Sequence, residues 1–228
     1  MTQSSAIIFI GPPGSGKGTQ ANEVVKRFDG FWHFNTGRVL EEVLYADKNK
    51  EDPVIQIERL KFEAGELCSS EWVKSVVKDG IERIAATGKG IIFSGSPRTR
   101  EEAEFMMPIL LQMYGQGHVY VVHLAVSDET SIFRNTHRRV CKSCGTPFPW
   151  SEETKALAYC TICGGELKVR TLDNEKAMEE RLYVYKHSAE SILAFFVALG
   201  LPIFEVSGER SPEVIATDID STLKKVLE

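Results

Sequence analysis

Apolar and polar positions follow two different rhythms along the 228 residues of this chain. Unbroken apolar runs at 6–10, 90–93, 119–124 and 203–206 have the length and branched side chains of buried strands. Between them the apolar positions recur every three to four residues. That spacing predicts helices over 17–28, 36–45, 53–62, 70–86, 100–113, 174–199 and 212–227, and a further helix from 128 to 137. Asp173 or Asn174 is the expected cap of the longest. Strands separated by helices imply an α/β fold, a parallel sheet covered by helices on both faces. Ligands in such sheets sit beyond the carboxyl ends of the strands. Residues 138–170 break the rhythm. They carry Pro147 and Pro149 and no sustained period, and read as an inserted subdomain.

Composition narrows the picture. With 43 % hydrophobic residues the chain can bury a sizeable core, and a net charge of −5 offers no broad surface for nucleic acid or membrane. No basic segment followed by a long apolar stretch opens the chain, so no secretory leader is expected. The apolar stretch 192–204 is interrupted by Gly200 and Pro202 and is too short to span a bilayer. A soluble, cytoplasmic protein is the expectation. Five cysteines in that setting are not expected to form structural disulfides, and Cys68, standing alone, reads as a small, partly buried hydrophobe.

Candidate chemistry begins directly after the first strand. The run GPPGSGKGTQ (11–20) places Gly11, Gly14 and Gly16 between a strand and a helix, followed by Lys17. Glycines let successive N–H groups turn inward on a polyphosphate at a helix N-terminus, and the lysine reaches the β/γ-phosphates. The strict pattern has Ser or Thr next; here Gly18 intervenes before Thr19. Arginines recur where such a ligand would sit. Arg98 lies at a strand end in SGSPRT, Arg134 and Arg138 are expected on one helix face, and Arg170 and Arg181 flank the start of the longest helix. Phosphoryl transfer spreads charge over non-bridging oxygens, which guanidinium forks match well.

Two further pairs carry metal chemistry. Cys141-Lys-Ser-Cys144 and Cys160-Thr-Ile-Cys163 are CxxC turns separated by fifteen residues, each followed by a glycine. The spacing suits a structural four-thiolate zinc site, with a redox dithiol or a disulfide pair as rival readings.

Taken together these stretches resemble the adenylate kinases, in the long form with a zinc-bearing lid. The resemblance rests on GPPGSGKGTQ (11–20), NTG (35–37), GSPRT (95–99), RNTHRRVC (134–141), CGGEL (163–167) and the DNE after Arg170. It implies a phosphate-loop core of five parallel strands made of 1–35, 69–137 and 171–228. It also implies a mobile acceptor-binding insert at 36–68 and a mobile lid at 138–170. The implied activity is reversible transfer from ATP·Mg²⁺ to AMP by a monomer. Nucleic acid and membrane have no part in it. The implied catalytic residues are Lys17, Arg98, Arg138, Arg170 and Arg181. Gly14, Ser15, Gly16, Lys17, Gly18, Thr19, Arg134, Arg138, Pro147, Phe148 and Arg210 would hold ATP. Thr36, Arg38, Glu66, Leu67, Cys68, Gly95, Arg98, Glu102, Arg170 and Arg181 would hold the acceptor, and Cys141, Cys144, Cys160 and Cys163 the zinc.

The acceptor site departs from the family pattern. Arg38 and Ser94 stand where the family has aspartates that hold waters around magnesium. Glu41 replaces an acceptor-phosphate arginine, and Arg38, oriented by Glu41, is the expected substitute cation. Glu102 replaces a glutamine that reads adenine; a carboxylate only accepts hydrogen bonds and suits guanine's two adjacent donors. Magnesium is therefore expected to bind more weakly, and a GMP kinase or a nucleotide-binding switch of low activity is the alternative. His33, His118, His123, His137 and His187 are expected in packing or surface roles.

Overall fold

A computed structural model of the protein describes residues 4–64, 66, 68–169 and 175–227. The chain opens with β1 (Ala6–Ile10), α1 (Lys17–Arg27), β2 (Phe31–Phe34), α2 (Thr36–Tyr45), α3 (Pro53–Glu63), α4 (Ser70–Ala86) and β3 (Gly90–Phe93). It continues through α5 (Arg100–Tyr114), β4 (Val119–Ala125), α6 (Asp128–His137), β5 (Arg139–Cys141), β6 (Pro147–Phe148) and β7 (Leu167–Val169). It closes with α7 (Glu175–Ala198), β8 (Ile203–Ser207) and α8 (Pro212–Leu227). The expected caps of α7, Asp173 and Asn174, lie outside the described residues.

Five strands form one parallel sheet in the order β2-β3-β1-β4-β8. β1 is central, and all five of its residues are buried. Because successive side chains point to opposite faces, it feeds two cores. Ala6, Ile8 and Ile10 join Val121, Ile81, Met106 and Phe196 on the side of α4, α5 and α7. Ile7 and Phe9 join Val122, Leu124, Val24 and Ile219 on the side of α1 and α8. The fold is thus the expected α/β phosphate-loop architecture.

The apolar pattern did not mark β2. It is four residues long, pairs with β3 alone, and buries only Phe34 fully. An edge strand of that kind leaves little periodic trace. The 138–170 region holds a separate three-stranded antiparallel sheet, β6-β5-β7, with strands too short to show a period. Among the described residues no helix is long and apolar enough to cross a membrane.

The parallel order has a switch point. From β1 the sheet grows toward β3 and β2 on one side and toward β4 and β8 on the other. The crevice between β1 and β4, beyond their carboxyl ends, is where such sheets bind ligands.

Candidate active site

The segment after β1 wraps that crevice. Ser15 N–H closes a turn on the Pro12 carbonyl at 3.2 Å, and Gly14 and Gly16 adopt positive φ of 75° and 92°. Gly16 is also the N-cap of α1, in a left-handed conformation that a side chain would strain. Lys17 Nζ donates to the carbonyls of Gly11 at 2.7 Å and Pro12 at 2.8 Å, so the ammonium lies across the loop. Gly18 and Thr19 follow in the first turn of α1. Helix α6 supports the loop from behind, where Ser131 Oγ donates to the Pro13 carbonyl at 2.5 Å.

Lys17 is held in a cationic field. Burial, and then the like charges of Arg98, Arg181 and Arg138, pull its pKa down from the ordinary lysine range to about 7. The charges of three guanidiniums from separate parts of the chain therefore bear on one ammonium. Arg98 comes from the loop after β3, with Nε donating to the Gly95 carbonyl at 2.9 Å. Arg181 comes from α7. Arg138 does not share a helix face with Arg134, as the spacing suggested. α6 ends at His137, and Arg138 has extended backbone (φ −68°, ψ 136°). Arg170 lies outside the described residues.

Arg134 sits on the β8 side of the crevice. Its Nη1 donates to the Gly208 carbonyl at 2.6 Å, and Nη2 reaches the carbonyls of Glu209 and Arg210 at 3.4 Å each. Burial lowers its pKa, and the Glu209 carboxylate partly offsets this. The Arg210 side chain turns away to pair with Asp218 on α8.

Across the crevice, Thr36 opens α2 and donates from Oγ1 to Ser96 Oγ at 2.9 Å, both residues being buried. A Cβ at Gly95 would come within 3.3 Å of Thr36 N, so the two segments are closely apposed. Arg38 is corrected in one respect. It is paired through Nε with Glu42, four residues on, at 2.9 Å, and not with Glu41. One helical turn favours that i,i+4 reach. Glu102 Oε2 accepts from Arg98 N–H at 2.7 Å, while its own N–H donates to the α5 cap Thr99 Oγ1 at 3.1 Å. Glu66 is exposed and Cys68 partly buried, with burial raising the thiol pKa. Leu67 lies outside the described residues.

The family model for adenylate kinase matches residues 9–201. An adenylate kinase of Carboxydothermus hydrogenoformans is 34 % identical, the match covering 96 % of this chain and 99 % of the relative. One of Novosphingobium aromaticivorans is 33 % identical over 95 % and 98 %, and one of Archaeoglobus fulgidus 32 % identical over 96 % and 98 %. This chain belongs to the adenylate kinase family. That membership places it among the ATP-dependent nucleoside monophosphate kinases.

Like the phosphate loop, the cysteine quartet is assembled as the family pattern suggests. The Sγ atoms of Cys141, Cys144, Cys160 and Cys163 all lie within 4.8 Å of one another. Cys141 and Cys163 are 3.4 Å apart, and Cys144 and Cys160 3.7 Å. Four thiolates about 2.3 Å from a tetrahedral zinc stand about 3.8 Å apart, so the set fits zinc. The Thr146 hydroxyl and backbone hold the Cys144 pKa down to about 6. Gly145 and Gly164 take the left-handed turns that close each knuckle. Phe148, expected near ATP, is buried with Cys141, Cys160 and Leu167 in this subdomain's small core, while Pro147 is exposed.

Two polar residues near this site escaped the pattern. His33 joins Asn22 Oδ1 at 2.7 Å through Nδ1 and Ser94 Oγ at 2.6 Å through Nε2. Burial, and then the Arg38 charge, push its pKa down to about 4, so it stays neutral at pH 7. Glu209 lies in the loop after β8 and bonds to α6. The long-range pairings have no local signature, because Ser94 is 61 residues from His33 and Ser127 is 82 from Glu209.

Proposed function

We propose that the protein catalyses reversible phosphoryl transfer from ATP to AMP, giving two ADP, with residues 36–68 clasping the acceptor and 138–170 forming a lid. One observation carries the reading: the Lys17 ammonium lies across the glycine-rich loop at the carboxyl end of β1, donating to the Gly11 and Pro12 carbonyls, where the charges of Arg98, Arg181 and Arg138 also reach it. Cations gathered in this way match the negative charge of a polyphosphate. Phosphates of two nucleotides meeting end to end supply that charge.

In this reading the ATP phosphates lie on the loop N–H groups and the start of α1, and Lys17 bridges the group in transit. Arg98, with Arg181, holds the acceptor phosphate, and Arg138 the donor. Arg170 is assigned to the same cradle by its place in the sequence. No general base is needed, since a phosphate monoester oxygen is already largely ionised at neutral pH. Bound phosphate favours the charged lysine. ATP binding therefore takes up a proton above pH 7, where Lys17 would otherwise be neutral.

Magnesium arrives with ATP as part of the substrate. Neutral Ser94 and cationic Arg38 offer its hydration shell no carboxylate, which supports a weaker hold on the metal. Zinc would be held by the four cysteines in a closed set, a structural role only. As to the acceptor base, one Glu102 oxygen is engaged by backbone. The carboxylate can still accept from the adenine amino group, and the family supports AMP as the acceptor.

A coupled assay with ATP, magnesium and each of AMP, GMP, CMP, UMP and dAMP tests the reading. AMP should give the highest kcat/KM, and Arg98→Ala should lower turnover by about 10²–10³-fold. Preferred use of GMP would overturn the base assignment. Tight ATP binding without turnover on any acceptor would overturn the kinase reading in favour of a nucleotide switch.

A further inference from the structure

The loop after β8 is gripped by one helix at two points. At the N-terminal end of α6, Glu209 Oε1 accepts from Ser127 N–H at 2.5 Å and Oε2 from Thr130 Oγ1 at 2.6 Å. These two donors hold the Glu209 pKa below the usual carboxylate range. Seven residues further along α6, Arg134 donates to the carbonyls of Gly208, Glu209 and Arg210. Both grips fall on residues 208–210, so this short loop is fixed to α6 through the Glu209 carboxylate and through its own backbone carbonyls.

That loop also adjoins the phosphate loop. Gly208 N–H donates to the Ala125 carbonyl at 2.8 Å. A Cβ on Gly208 would meet Val126 Cγ1 at 2.7 Å and the Ser15 carbonyl at 3.2 Å. A nucleotide with its phosphates on residues 11–17 thus has the half-buried, planar Arg134 guanidinium and residues 208–210 as the nearest platform on the β4/β8 side. A guanidinium stacks readily on an aromatic base.

We infer that Glu209 is a positioning residue for the base of the donor nucleotide. Its carboxylate fixes the loop on which the base rests, and with it the Arg134 guanidinium that shares the loop's carbonyls. The inference rests on the phosphate loop holding ATP, as proposed above. It adds a residue whose role no motif marks, since its partners Ser127 and Thr130 are 82 and 79 residues away.

The test separates base from phosphate. Binding of ATP, AMP and inorganic tripolyphosphate is measured by calorimetry for the full chain and for Glu209→Ala. ATP affinity should fall about 5–10-fold, with tripolyphosphate and AMP affinities unchanged. Glu209→Gln, which keeps an acceptor for Ser127 N–H, should recover part of the loss. Thr130→Val, which removes one donor and is a milder change, should lose about 2–3-fold for ATP alone. Equal losses for ATP and tripolyphosphate would mean that the phosphate loop itself had shifted, and would overturn the inference. Unchanged ATP affinity in both Glu209→Ala and Thr130→Val would also overturn it. Absence of phosphoryl transfer in the unaltered protein would sink the kinase reading but leave this comparison legible.

Discussion

The two inserts are built on opposite physical terms. Residues 36–68, the proposed acceptor insert, are held by burial. Leu44, Ile55, Trp72 and Val76 form a cluster that joins α2 and α3 to α4. The buried Glu58 carboxylate accepts from Ser69 N–H and Oγ at 2.7 Å each and from Lys61 Nζ at 2.8 Å, latching α3 to the start of α4. The lid has a core of four buried residues, two of them cysteines of the quartet. Some thirty residues with so little apolar burial need a staple, and a metal ion held by the four cysteines would provide one. On the proposed reading, the fold carries one clasp that is part of the core and another that would depend on a single ion.

Metal removal should break the comparison most sharply. Chelation, or Cys144→Ser, should unfold the lid locally and lower phosphoryl transfer by at least about 100-fold, since structural zinc contributes folding energy outright. Trp150 lies in the lid with its edge on Phe133, ring centroids 5.3 Å apart, and Trp72 lies in the acceptor cluster. Fluorescence of single-tryptophan variants should therefore change for Trp150 and not for Trp72. A simultaneous change in both would show that the inserts are one cooperative unit. Leu44→Ala should cost about 2–5 kcal/mol, seen in denaturant unfolding, and raise the acceptor KM before the donor KM.

Acid sharpens the contrast with a smaller effect. Burial alone would raise the Glu58 pKa, but the bonds from Lys61 and Ser69 outweigh it and leave the pKa below the usual carboxylate value. A depressed carboxylate pKa means stability that is present above the unfolded-state pKa and lost as pH falls through the folded one. Protons compete with metal for thiolates at higher pH than that. On acidification the Trp150 signal should change first and the Trp72 signal later. Glu58→Gln should remove part of the late transition, and a reversed order would refute this account of the two clasps.

Legibility followed sequence distance. β1, the glycine loop and Lys17 are contiguous, and each CxxC turn is complete within four residues, so both were readable before any coordinates. The quartet needed only the alignment of two such turns across fifteen residues. β2 was not readable because four residues on a sheet edge carry no period. The bounds of α6 matched the expected 128–137, but Arg138, expected to share a helix face with Arg134, lies one residue beyond its end. The Arg38–Glu42 pair turned on a choice between two acidic neighbours one residue apart. Glu209 and His33 were beyond reach for a different reason. A carboxylate in a loop or a histidine in a strand has no local meaning until the fold supplies its partner.

The Arg139 guanidinium, at the root of the lid, donates to the carbonyls of Thr154 and Leu157 across the subdomain. That brace ties the long connection after β6 to the strand that leaves α6. The proposed lid, so braced, would move as one piece about the end of α6.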